Sequence, residues 1–210
     1  MTRICSRYAG LGIVLACSLL AMGCVPSSSI KPVENLTQVG TGSVIVVGKI
    51  ELEPGLAPDE QVLGSNFEEF RDLALVITDT ELRTPNETMS LGDLTRRINA
   101  PMGQTFYVGH EAQPFYILKS WVVMNAEIKV VSPSATPVPG NAPLSGIFKV
   151  EMTPGDRAIY IGTIRYHRDP FFSTEKVEVI DDFAQATIDF KQKFGTQIAL
   201  RKSLAQPIGQ

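Results

Sequence analysis

Trp121-Val122-Val123-Met124-Asn125-Ala126-Glu127-Ile128-Lys129-Val130-Val131 alternates: Val122, Met124, Ala126, Ile128 and Val130 share one parity, and Asn125, Glu127 and Lys129 share the other. Successive side chains of an extended chain point to opposite faces, so the stretch predicts one strand with a buried side and a wet side.

Further strands are expected on either side of it. Val44-Ile45-Val46-Val47 and Leu73-Ala74-Leu75-Val76-Ile77 are short, β-branched and apolar on both faces, which favours buried strands. Gln104–Val108 and Phe115–Leu118 read as strands around a turn at Gly109–Pro114, and Lys176–Ile180 as another. Gly146–Glu151 and Arg157–Arg165 are expected to pair as a hairpin across Thr153-Pro154-Gly155-Asp156. Proline presets the first corner of a type II turn and glycine accepts the positive φ of the second. The returning strand is apolar on both sides in its first half, and Gly162 marks a bulge or a close neighbour. Ser90–Ile98 reads as a turn or two of helix, Phe67–Phe70 as a short helix, and Gln197–Lys202 as a last strand. Four prolines between Ser132 and Leu144 make that stretch a long loop.

One late helix is expected over 182–194. Asp181-Asp182 offers an N-cap, Phe183, Ala186, Thr187, Phe190 and Phe194 recur on one stripe, and Gly195 stops it. Many short strands punctuated by proline and glycine, with one helix, predict a mainly-β, antiparallel sandwich. The run Phe148-x-Val150-x-x-x-Pro154-Gly155-x-x-x-x-Tyr160-Ile161-Gly162 weakly resembles a hairpin of small lipoproteins with transthyretin-like or carboxypeptidase-regulatory-like sandwiches. That resemblance implies an immunoglobulin-like or transthyretin-like sandwich rather than a barrel.

The N-terminus speaks to location. A basic head (Arg3, Arg7) precedes an apolar segment from Tyr8 to Ala21, shorter than the roughly 20 residues of a membrane-spanning helix. It closes on Leu20-Ala21-Met22-Gly23-Cys24. This run resembles the lipobox of bacterial lipoproteins, although the family usually has leucine where Ala21 stands. The resemblance implies removal of residues 1–23 and acylation of Cys24 on its sulfur and its new amine. A rival site is Val14-Leu15-Ala16-Cys17, but it would leave an apolar Ser18-Leu19-Leu20 start, whereas Cys24 is followed by the polar Val25-Pro26-Ser27-Ser28-Ser29. An ordinary secretory signal with an incidental cysteine is the other reading. Residues 24–40 are then expected to be a flexible tether and 41–205 a single domain.

Removing residues 1–23 takes Cys5 and Cys17 away, leaving Cys24 as the single cysteine and excluding an internal disulfide. It also leaves 17 basic against 22 acidic residues with no basic block, which argues against nucleic acid and against direct adhesion to anionic lipid. The acyl chains are the membrane contact the sequence supports.

Chemistry is sparse. There is no Gly-x-Ser-x-Gly elbow, Gly40, Gly42, Gly48 and Lys49 lack the spacing of a phosphate loop, and neither His110 nor His167 has zinc-ligand spacing. No metal and no cofactor is expected. Asp59-Glu60, Glu68-Glu69 and Asp181-Asp182 would serve glycoside cleavage only if distant carboxylates converged. Two consecutive aromatics, Phe171 and Phe172, cannot both enter one core, so a partner contact is considered there; Trp121 is considered as a sugar platform. In that family an aspartate after the cysteine resembles the inner-membrane retention signal, and Val25 stands there instead, so in a two-membrane organism the resemblance implies the outer membrane. The leading expectation is a non-enzymatic, outer-membrane-anchored lipoprotein that binds an envelope protein or polysaccharide. The alternative is an envelope-polymer hydrolase using carboxylates or His167 with Asp169 and Asp181.

Overall fold

The computed structural model describes residues 28–57, 73–82, 95–124, 127–131, 147–171 and 174–208. In chain order its elements are β1 (Ser28–Ile30), a 3-10 turn (Leu36–Gln38), β2 (Ser43–Glu53), β3 (Leu73–Thr78), β4 (Thr95–Ala100), β5 (Thr105–Glu111) and β6 (Phe115–Met124). They continue with β7 (Glu127–Val131), β8 (Phe148–Val150), β9 (Ala158–Arg168), β10 (Thr174–Ile180), α1 (Phe183–Phe194), β11 (Arg201–Lys202) and β12 (Gln206–Pro207). One sheet runs β1-β4-β3-β6-β8-β12 with β7 beside β6, and the other runs β10-β9-β2-β5 with β11 beside β9.

The mainly-β sandwich with one late helix is therefore the fold. Its sheets are mixed rather than wholly antiparallel, because β1–β4, β2–β9 and β11–β9 pair in parallel. The core lies between the sheets: Val44, Val46, Ile50, Phe106, Ile159, Ile161 and Ile164 from one meet Leu75, Ile77, Ile98, Phe115 and Ile117 from the other. On the outer side of the second sheet, α1 lays Ala186, Phe190 and Phe194 over Ile45, Val47, Ala158 and Tyr160. Tyr107 meets Phe194 edge-on with ring centres 5.3 Å apart.

β9 breaks its own alternation. Ile159 and Ile161 face the core, and so do Ile164 and Tyr166, which requires one residue to drop out of register. Against β2, Val47 pairs with Tyr160 but Lys49 pairs with Thr163, so β9 carries the extra residue of a bulge beside Gly162. Gly162 has φ +101°. The bulge keeps Arg165 and His167 on the outer face, where a regular strand would have driven them inward.

Several expectations are corrected. Trp121–Val131 is two strands, with Met124 opposite Glu127 and Trp121 opposite Val130, so the chain doubles back between them. Strict alternation does not distinguish one strand from two joined by a two-residue turn. Consequently Trp121 lies inside β6, paired with Ala74 as well as Val130, rather than at a strand start. The turn at Thr153–Asp156 forms, with Gly155 at φ 92° and the Asp156 N–H donating to the Thr153 carbonyl at 3.1 Å. Its flanking strands do not form the expected hairpin: β8 pairs with β6 and β12, while β9 belongs to the other sheet. A type II turn splays its strands, and here it carries the chain across the sandwich.

Thr95–Ile98, expected to be helical, is strand, since Ile98 and Ala100 alternate into the core. Within Gln197–Lys202 only Arg201–Lys202 is strand. The Phe67–Phe70 helix and the proline-rich 132–144 loop lie outside the described residues. Residues 28–39 are not a tether. β1 pairs with β4, Pro32 bridges to Val108, the Val33 N–H donates to the Tyr107 carbonyl at 2.8 Å, and Val33 is buried. Asn35 and Gln38 then cap the 3-10 turn reciprocally. Alternation is too short here to register in sequence, and polar composition concealed a docked edge.

Candidate functional site

Three polar constellations stand out. The first lies at the end of the sandwich where β3 and β5 finish and β4 begins. His110 occupies the inward parity of β5 after Phe106 and Val108, so the strand carries an imidazole into the interior, where its side chain is fully buried. Its Nδ1 is 2.7 Å from the Glu111 carbonyl oxygen, which can only accept, so Nδ1 bears the hydrogen. Nε2 stands 3.0 Å from a guanidinium nitrogen of Arg96 and 2.9 Å from Oδ1 of Asp79, and Arg96 also pairs with the other Asp79 oxygen. A singly protonated ring accepts from Arg96 and leaves the buried Asp79 Oδ1 without a donor; a doubly protonated ring supplies that donor. Phe115 covers the ring at 4.6 Å. The cluster pins one sheet to the other.

The second is a ladder on the outer face of β2, β9 and β10, beyond the strip that α1 covers. Lys49 contacts Glu51 at 2.5 Å, Arg165 reaches Glu51 at 2.8 Å, His167 meets Glu178 at 2.9 Å, and Lys176 meets Glu178 at 2.5 Å. The Lys176 and His167 contacts hold the Glu178 carboxyl down at about 2. Partial burial raises the Glu51 carboxyl, but hydrogen bonds from Lys49 and Arg165 outweigh it and the net direction is downward. His167 is thus one member of an ion-pair ladder.

The third is the clip at the Thr153–Asp156 turn. Arg201 forks onto Asp156 with two bonds of 2.6 Å, and the Thr153 N–H donates to the same carboxylate at 2.6 Å. These contacts, Arg201 foremost, lower the Asp156 pKa to about 2 against the opposing effect of burial. An open depression of about 320 Å³ lies beside the clip, lined by Arg157, Gln197 and Ile198 among others, and neither histidine reaches it. Because the folded pKa is below the ordinary 3.8, the clip's contribution is complete above pH 4 and is lost as pH falls through about 2. Asp156→Asn should therefore be less stable than the native chain at neutral pH, with the two converging toward about pH 2. Urea midpoints measured across that range check this.

The residues singled out from sequence do not converge. Cys24 and Phe172 lie outside the described residues, as do Asp59-Glu60 and Glu68-Glu69. Phe171 is 86 % exposed at the turn between β9 and β10, its N–H tied to Asp169 Oδ1 at 2.8 Å. Asp181 binds Lys202 and the Phe183 N–H, and Asp182 accepts from the Thr163 hydroxyl instead of capping α1 with its side chain. His167, Asp169 and Asp181 accordingly serve separate partners. Among the described residues no cluster of three metal-ligating side chains occurs. Sequence reading set His110 aside as structural and missed Asp79 and Arg96; the signal was the inward parity of His110 in Thr105–Glu111. Comparison with protein families, with characterised proteins and with solved structures finds no match to this chain.

Proposed function

We propose that this chain is a bacterial lipoprotein, held by acyl chains on Cys24 at the outer membrane, whose sandwich binds another envelope component. The observation that carries the reading is the run Leu20-Ala21-Met22-Gly23-Cys24 behind a short basic and apolar leader. Binding is favoured over turnover by the way the polar residues are used. Around β9 and β10, Glu178 is taken by His167 and Lys176 and Asp181 by Lys202, whereas Phe171 presents an aromatic ring to solvent on a turn braced by Asp169. Aromatic side chains, phenylalanine among them, are enriched in protein contacts relative to the rest of the surface.

Phe171→Ser tests the contact. Since the ring is exposed, the substitution should leave thermal stability unchanged and abolish a crosslink formed from this turn in intact cells. An unchanged crosslinking pattern overturns the assignment of Phe171. A turnover activity on envelope polymers that disappears in His167→Ala while the fold survives would replace binding with hydrolysis.

A further inference from the structure

Resting on the Cys24 anchor, we infer a fixed presentation of the domain: the end bearing Asp79 and Thr41 faces the lipid headgroups, and the Phe171 turn points away from the anchoring membrane. The inference comes from where the folded body begins. β1 is hydrogen-bonded to β4 from Ser28 onward, with Ser28 opposite Arg96, and Arg96 sits in the Asp79–His110 cluster that marks one end of the sandwich. The segment between the anchor and the body is therefore Val25, Pro26 and Ser27. At full extension the path from Cys24 to Ser28 spans about 14 Å.

Phe171 lies on the opposite diagonal. β9 begins at that same end, with Ala158 opposite Ile45, and runs eleven residues before the turn, a length of about 36 Å. Across the sheet the order is β10-β9-β2-β5, and β1 lies on the β5 side, where Pro32 bridges to Val108. The Phe171 turn is thus remote from the anchor both along the strands and across them, by two to three strand spacings or about 10–14 Å in the second direction. A short leash at one corner holds that corner near the bilayer and keeps the diagonal corner clear of it. The Phe171 ring then faces away from the anchoring leaflet and toward the envelope space.

Cys24 is the single cysteine of the mature chain, so Thr41→Cys and Phe171→Cys each accept one label, both at exposed positions. The processed protein is reconstituted in phosphatidylethanolamine–phosphatidylglycerol vesicles carrying a headgroup quencher, after mass spectrometry has read its first residue. The label at 41 should lose most of its emission and the label at 171 should keep it. Inserting about twenty Gly/Ser residues after Ser27, with an r.m.s. reach of about 25 Å, should erase the contrast. Equal quenching at both positions, quenching at neither, or stronger quenching at 171 overturns the orientation while leaving the anchor intact. An unacylated first residue overturns the anchor, and the orientation with it, before any label is read.

Discussion

Gly162→Ala should cost about 3 kcal/mol. Two causes add. The residue has φ +101°, a region that costs an L side chain about 1–2 kcal/mol. A Cβ there would also lie 2.5 Å from Cγ1 of Val179 and 3.3 Å from the Ile180 carbonyl, so β10 would have to move off β9. Overpacking of that kind costs about 1–3 kcal/mol. Gly155→Ala separates the causes, because Gly155 also has positive φ, at +92°, but nothing lies within 4 Å of its would-be Cβ. It should lose only the backbone part, about 1 kcal/mol. Chemical denaturation of both variants decides it. Equal losses would remove the close approach of β10 from the explanation.

Asp79→Ala should cost about 2–3 kcal/mol, because it strips the acceptor from the Arg96 guanidinium of its own sheet and empties the place beside the His110 imidazole that the other sheet presents. The imidazole is fully buried and has no water to fall back on. Asp79→Asn keeps the volume and an amide oxygen that can still accept from Arg96 but removes the charge, and because a charge-assisted bond is about twice as strong as a neutral one it should lose about half as much. If Asn is tolerated and Ala is not, packing and not charge holds that end of the sandwich. If both are tolerated, the cluster contributes nothing to stability. Equilibrium unfolding in urea measures each case.

These two sites show where sequence was legible and where it was not. The bulge at Gly162 could be read ahead of the fold, since a glycine inside a strand that changes the parity of its apolar residues has few other uses. Helix α1 was equally plain, because Phe183, Ala186, Phe190 and Phe194 at helical spacing need a sheet to cover. Pairing was less legible. The corner at Pro154-Gly155 was foreseen, yet a turn's local chemistry does not say which sheet the next strand joins. The parallel β2–β9 pair, the longest ladder in the second sheet, links residues more than a hundred positions apart and leaves no local trace. The same blindness hid the Asp79–Arg96–His110 cluster, whose members come from β4, β5 and the residue after β3, and which is complete only when the sheets close. Arg96-Arg97 looked like a helix end, although its surroundings alternate into a strand. Residues 28–39, polar and interrupted by proline, gave no sign of the edge they occupy.

On the proposed lipidation, that edge leaves three residues, Val25 to Ser27, between Cys24 and the folded body. Mass spectrometry of the N-terminal peptide, from protein extracted from its native membrane, reads the anchor directly. Lipidation predicts a chain that starts at Cys24, with a diacylglyceryl group on sulfur and an acyl group on the amine. A chain that starts at any other residue, or at an unmodified Cys24, contradicts it.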